Sequence, residues 1–168
     1  HAVCFGNVIT SRSPSEGSFN WGMVLWHELA HVWHIQMSRS RVPRWFTEGL
    51  AEYETAVARP EWRREMDEVL FSWFEEGRLK RVSEFNGMFV HADGLMDVVV
   101  AYYYATQVIR FIVSEWGFQV IPKMLSAWGE KRSDAAVLKR VLGVTADTFD
   151  DKLERWLRDT YFSRYIGA

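Results

Sequence analysis

The stretch Val24-Leu25-Trp26-His27-Glu28-Leu29-Ala30-His31-Val32-Trp33-His34 carries two histidines four residues apart on an apolar background. That background predicts a helix, and on a helix residues four apart share one face. Both imidazoles, His27 and His31, can then reach one metal ion at about 2.0–2.1 Å. Glu28 adjoins the first of them and points to the side of that face. It is poorly placed to be a third ligand and well placed to take a proton from water at the metal. His34 continues the same face by another turn. A fourth protein ligand would close the site, so His34 is expected to be a core histidine or the hydrogen-bond partner of a ligand.

The third ligand is expected in Pro43-Arg44-Trp45-Phe46-Thr47-Glu48-Gly49-Leu50-Ala51-Glu52-Tyr53, which starts twelve residues after His31. That distance leaves room for the first helix to end, for a tight Ser/Arg-rich reversal, and for a second helix packed against the first. Glu48 lies early on this second helix and can present a carboxylate to the ion. Gly49 is expected to permit close approach of the two helices. Glu52 follows Glu48 by one turn and can accept the outer N–H of a ligand histidine. Glu16 and Glu54 read as surface charges.

Working outward, Val3 to Thr10 predicts one strand with Gly6 as a bulge. Asn20 predicts the N-cap of a helix over Trp21 to Met37. The second helix is expected over Phe46 to Ala56. A third should run from Pro60 to about Glu76, stopped by Gly77. Leu79 to Asp93 reads as loops around a short apolar segment. Leu95 to Trp116 predicts a long helix closed by Gly117. Shorter helices are expected over Gln119–Trp128 and Ser133–Leu142, and Thr145 caps a last one over Ala146–Tyr161. The expected fold class is mostly α (α+β): one helical domain over 1–168, with a short N-terminal edge strand or small sheet and a pair of site-bearing helices. The strand has an expected use, since an exposed edge can pair an extended peptide through main-chain hydrogen bonds.

Composition narrows the function classes. With 168 residues the chain can bury a genuine core, and nine Trp with eleven Phe supply it generously. A net charge of −2 leaves no basic footprint for nucleic acid. No apolar run approaches the roughly 18–20 residues of a membrane span. Cys4 is the single cysteine, so there is neither an internal disulfide nor a finger-type metal site. The chain begins at His1 rather than Met and shows no signal peptide. A piece of a longer protein is therefore expected, with compartment and oligomeric state left open. His1 reads as irrelevant to the site, and His91 as either a surface or a cleft residue.

His27-Glu-Leu-Ala-His31 followed by Pro-x-Trp-Phe-x-Glu48-Gly-Leu-Ala-Glu52-Tyr53 resembles the gluzincin metallopeptidases, in particular the bacterial peptidase MA-like domains. The resemblance extends to Ala101-Tyr102-Tyr103-Tyr104-Ala105-Thr106 with Arg110 and Gly117, and more weakly to Leu142-Gly143-Val144-Thr145 and the last helix. It implies a zincin-like fold and zinc-dependent hydrolysis of a peptide or protein substrate. One Zn²⁺ ion would be held by His27, His31 and Glu48, with Glu28 as general base. It further implies a tyrosine that stabilises the developing oxyanion, for which family spacing favours Tyr102 ahead of Tyr103. Export or residence in the cell envelope would follow for a longer bacterial protein. Two departures stand out. The Gly-Ala-Met-Glu-Asn-type motif of gluzincin aminopeptidases is absent, and so is most of the sheet that normally precedes the site helix. Two other readings remain: a metal-stabilised binding or scaffolding module without catalysis, and a zinc hydrolase of non-peptide amides or esters.

Overall fold

The structure is a computed structural model that describes residues 2–5, 8–11, 13, 19–90 and 94–166. Among these the fold is mostly helical with one small antiparallel sheet, hence α+β. His1, Glu16 and His91 lie outside the described residues.

The N-terminal strand is a hairpin instead of a single strand. β1 (Ala2–Phe5) pairs antiparallel with β2 (Val8–Ser11), from Ala2 opposite Ser11 to Phe5 opposite Val8. Only Gly6 and Asn7 separate the last pair. The bulge expected at Gly6 lies outside the described residues.

α1 (Trp21–Met37) has the bounds its sequence predicts, and Asn20 Oδ1 accepts the Met23 N–H at 3.0 Å. Its outer side is also apolar: Leu25, Trp26, Leu29, Trp33 and Met37 are exposed. After α1 the chain reverses through Arg39 and Ser40, both at positive φ (52° and 61°). Such left-handed backbone is uncommon for non-glycine residues. Here it turns α2 (Arg44–Ala58) back along α1.

α2 has two working faces. Trp45, Phe46, Gly49 and Leu50 are buried in the core, while Thr47, Glu48, Glu52 and Thr55 line a cavity beside α1. The close approach that Gly49 permits is to a different helix from the one expected. A Cβ there would lie 2.6 Å from the backbone carbonyl carbon and oxygen of Ala105 on α5 (Leu95–Trp116). Gly49 therefore sets the spacing of α2 and α5 rather than that of α1 and α2.

α5 is the central helix. By length and composition alone it could cross a membrane, which departs from the expectation that no apolar run approaches a span. In this fold half of its residues are buried. It packs against α2, α3 (Asp67–Glu75), α4 (Phe85–Val90) and α8 (Ala146–Trp156). Gly117, at φ 77°, ends it. Beneath α2 an aromatic cluster of Trp45, Phe46, Phe85, Tyr104 and Trp128 packs mostly edge to face. Trp45 and Trp128 donate their indole N–H groups to the two carboxylate oxygens of Asp134, at 3.2 and 2.8 Å. One side chain thereby satisfies both buried indoles.

Other boundaries differ from expectation. The helix expected over Pro60–Glu76 is broken: Pro60–Trp62 forms one tight turn, and α3 begins only at Asp67. The extended residues between them let Arg64 reach Glu52 at 3.3 Å. Asp67 is tied at the same time to Tyr103, Tyr161 and Arg164. The segment read as loops contains α4, whose Phe85 fills the aromatic cluster. α6 (Ile121–Gly129) follows a tight turn over Phe118–Val120. α7 (Asp134–Val137) and α8 each widen at the end into a π-helical turn, Leu138–Leu142 and Leu157–Tyr161. α9 (Ser163–Ile166) ends the described chain.

Candidate metal centre

α1 and α2 together build a cavity of about 890 Å³. His27, Glu28 and His31 enter it from α1, Glu48 and Glu52 from α2, and Tyr102 from α5. Ala2, Val3 and Cys4 of β1 form part of its wall.

Three donor atoms converge there. His27 Nε2 and His31 Nε2 are 3.1 Å apart, and Glu48 Oε2 lies 3.5 and 3.3 Å from them. A tetrahedral ion with bonds of about 2.0–2.1 Å holds its ligand atoms about 3.3–3.4 Å apart. The triangle therefore has the size of one face of such a coordination shell. Its chemistry also fits, since two imidazoles and one carboxylate leave a fourth position open. Among the described residues this is the one group of histidine, cysteine and acidic side chains with such convergence. The donor set suits zinc and is not exclusive to it.

The surroundings orient the imidazoles. Glu52 Oε1 faces His27 Nδ1 at 3.6 Å and is itself held by Arg64. His31 Nδ1 is 2.8 Å from Thr47 Oγ1. His34 is buried and stays out of the triangle: its Nδ1 lies 3.0 Å from the same hydroxyl, and its Nε2 lies 3.2 Å from Glu54 Oε2. Glu54 is thus a partner of a buried histidine and not the free surface charge its sequence position implies. A helix stripe does not reveal that a neighbouring helix carries a histidine within reach.

Of the three consecutive tyrosines only Tyr102 lines the cavity. Tyr103 donates to Asp67 on the other side of α5, and Tyr104 donates to the Lys80 carbonyl at 3.3 Å. Tyr102 Oη accepts from Arg44 Nη2 at 3.3 Å, and Arg44 also reaches Glu48 at 3.6 Å. Burial and the Glu48 charge raise the Tyr102 pKa against the opposing pull of Arg44, so the phenol keeps its proton as a donor. Thr47, Arg44, Arg64 and Glu54 had no sequence signal of their own. Each matters only through a partner on another element or at a distance along the chain.

Electrostatics couple the site to pH. Burial would lower the His27 pKa, but the hydrogen bond to Glu48 and the charges of Glu52, Glu48 and Glu28 raise it above the ordinary 6.5. Burial would likewise raise the Glu48 pKa, and the two histidines instead bring it down from 4.5 to about 2. A raised histidine contributes stability that is complete below its unfolded value and is lost as pH climbs through its folded one. A lowered carboxylate contributes stability above its unfolded value and loses it as pH falls. In the metal-free protein both of these contributions are therefore complete between pH 4.5 and 6.5. An ion held there would displace the His27 proton, so stabilisation by added Zn²⁺ should grow as pH rises past 6.5. Thermal unfolding across this range, with and without Zn²⁺, checks both signs. A zinc shift that is flat with pH contradicts the assignment of His27 as a ligand.

Comparison of the chain with protein-family models, with curated proteins and with solved structures finds no match.

Proposed function

We propose that this chain is a metal-dependent peptide hydrolase of the gluzincin type, with one Zn²⁺ held by His27, His31 and Glu48. The observation that carries the reading is the donor triangle with edges of 3.1–3.5 Å, opening on a cavity that also holds Glu28 and Tyr102. When bound, the ion supplies Lewis acidity, acidifying water and polarising a carbonyl.

The chain's own residues do the rest. The Glu28 carboxylate, on the cavity wall next to His27, takes the proton of the attacking water and passes it to the leaving amine. The Tyr102 phenol, oriented by Arg44, donates to the carbonyl oxygen as negative charge builds on it. Glu52 and Thr47 hold the imidazoles of His27 and His31 in orientation. β1 has one edge paired with β2 and its residues Ala2–Cys4 on the cavity wall. An extended peptide laid along this strand would be bound through its backbone, with little demand on sequence.

The test is elemental analysis of the purified protein joined to a quenched-fluorescence peptide library. The reading expects about one zinc per chain and turnover that a chelator abolishes and Zn²⁺ restores. Absence of bound metal overturns it, as does turnover indifferent to the chelator. Zinc bound without turnover on any peptide would leave the non-catalytic module.

A further inference from the structure

Thr47, His34 and Glu54 form a hydrogen-bonded chain that ends on His31, and the reaction has no direct use for its outer members. The Thr47 hydroxyl lies between two ring nitrogens, 2.8 Å from His31 Nδ1 and 3.0 Å from His34 Nδ1. His34 is 2% exposed, and its other nitrogen meets the half-buried Glu54 carboxylate at 3.2 Å.

Counting hydrogens gives this chain a direction. A carboxylate only accepts, so His34 Nε2 carries the hydrogen that faces Glu54. In a neutral imidazole His34 Nδ1 is then an acceptor, and the single Thr47 hydroxyl hydrogen points to it. The Thr47 oxygen is left to accept, and the remaining donor within reach is His31 Nδ1–H. His31 Nδ1 thereby carries a hydrogen, so the neutral ring has its lone pair on Nε2, the nitrogen in the donor triangle, which without an ion faces the Glu48 carboxylate at 3.3 Å.

We propose that His34 and Glu54 are positioning residues. They set the rotor of the Thr47 hydroxyl, which holds His31 in its ligand tautomer, and they pass the polarisation of a carboxylate to that imidazole. The inference rests on the metal reading of the triangle, and it assigns a role to two residues outside it. Hydrogen-bonded partners of ligand histidines raise ligand basicity and pin the ring, and their removal typically weakens metal binding about 10–100-fold.

Two measurements test it. Long-range ¹H–¹⁵N correlation of the imidazoles in the metal-free protein reads the tautomers directly. His31 protonated on Nδ1 and His34 on Nε2 are expected; His34 protonated on Nδ1 overturns the proposal. Chelator competition for Zn²⁺, with the visible spectrum of the Co²⁺ form, then compares Thr47→Val, Thr47→Ser and Glu54→Leu with the parent chain. Thr47→Val should bind about 10–100-fold more weakly, Thr47→Ser should return to near the parent affinity, and Glu54→Leu should fall between them with a shifted Co²⁺ spectrum. Parent-like affinity and spectrum in both Thr47→Val and Glu54→Leu overturn the proposal while leaving the metal reading intact. A parent chain that binds neither ion overturns the metal reading, and the imidazole tautomers still decide the relay.

Discussion

Glu28→Gln is expected to keep the ion and lose the reaction. Glu28 is a wall residue of the cavity and stands outside the donor triangle, so the amide leaves His27, His31 and Glu48 in place. The substitution is nearly isosteric and removes the basic oxygen that must accept a proton. General base catalysis is worth about 10²–10⁴ in rate. The expected loss in kcat is of that order, about 3–5 kcal/mol of barrier. Zinc content and thermal stability should stay near those of the parent. The paired measurement is kcat on a cleaved peptide together with metal per chain. A variant that cleaves at the parental rate removes Glu28 from the mechanism, and one that loses its zinc makes Glu28 a ligand.

Gly49→Ala should be the most damaging small change in the fold. On an exposed helix the same exchange would stabilise by about 1 kcal/mol, because alanine is the better helix former. At this position the added methyl meets the α5 backbone at Ala105 at 2.6 Å. Backbone cannot rotate away as a side chain can, so α2 must move. Overpacking of this kind costs about 1–3 kcal/mol and at times more. For a domain of this size that corresponds to a Tm lowered by roughly 3–10 °C. Since Glu48 is the neighbouring residue on α2, zinc affinity should fall together with Tm. Thermal unfolding and zinc competition on one preparation check the pair. A Tm that rises would mean that α2 and α5 are not packed at this contact.

The two predictions draw on different levels of information. Glu28 stands out in the sequence because it lies between two histidines four apart, and a helix turns that spacing into one face. Gly49 also stands out, yet its sequence position points to the wrong neighbour. The helix it touches is contributed by Ala105, fifty-six residues later, and no local rule links the two. The three tyrosines behave in the same way. Consecutive residues on a helix fan around it, so the sequence establishes that they diverge, while the docking of α5 decides that Tyr102 lines the cavity and Tyr103 meets Asp67. The break over residues 63–66 was hidden for a related reason. Its residues suit a helix locally, and the chain instead extends to let Arg64 meet Glu52 and Asp67 meet Tyr103, Tyr161 and Arg164.

Local chemistry was therefore enough for some features. Asn20 capping and apolar spacing determined α1, Gly117 determined where α5 stops, and histidine spacing determined that two imidazoles face one way. These depend on contacts within a turn or two of helix, which the order of residues states directly. The sequence pointed to Glu48, but tertiary structure decided the 3.3–3.5 Å at which it closes the triangle, and it alone decided that Thr47 sits between two histidines and that His34 is joined to Glu54. Such pairs depend on the angle and spacing at which α2 packs against α1 and α5. Those are set by the whole core, in which a shift of an ångström that leaves every helix intact would separate the donors.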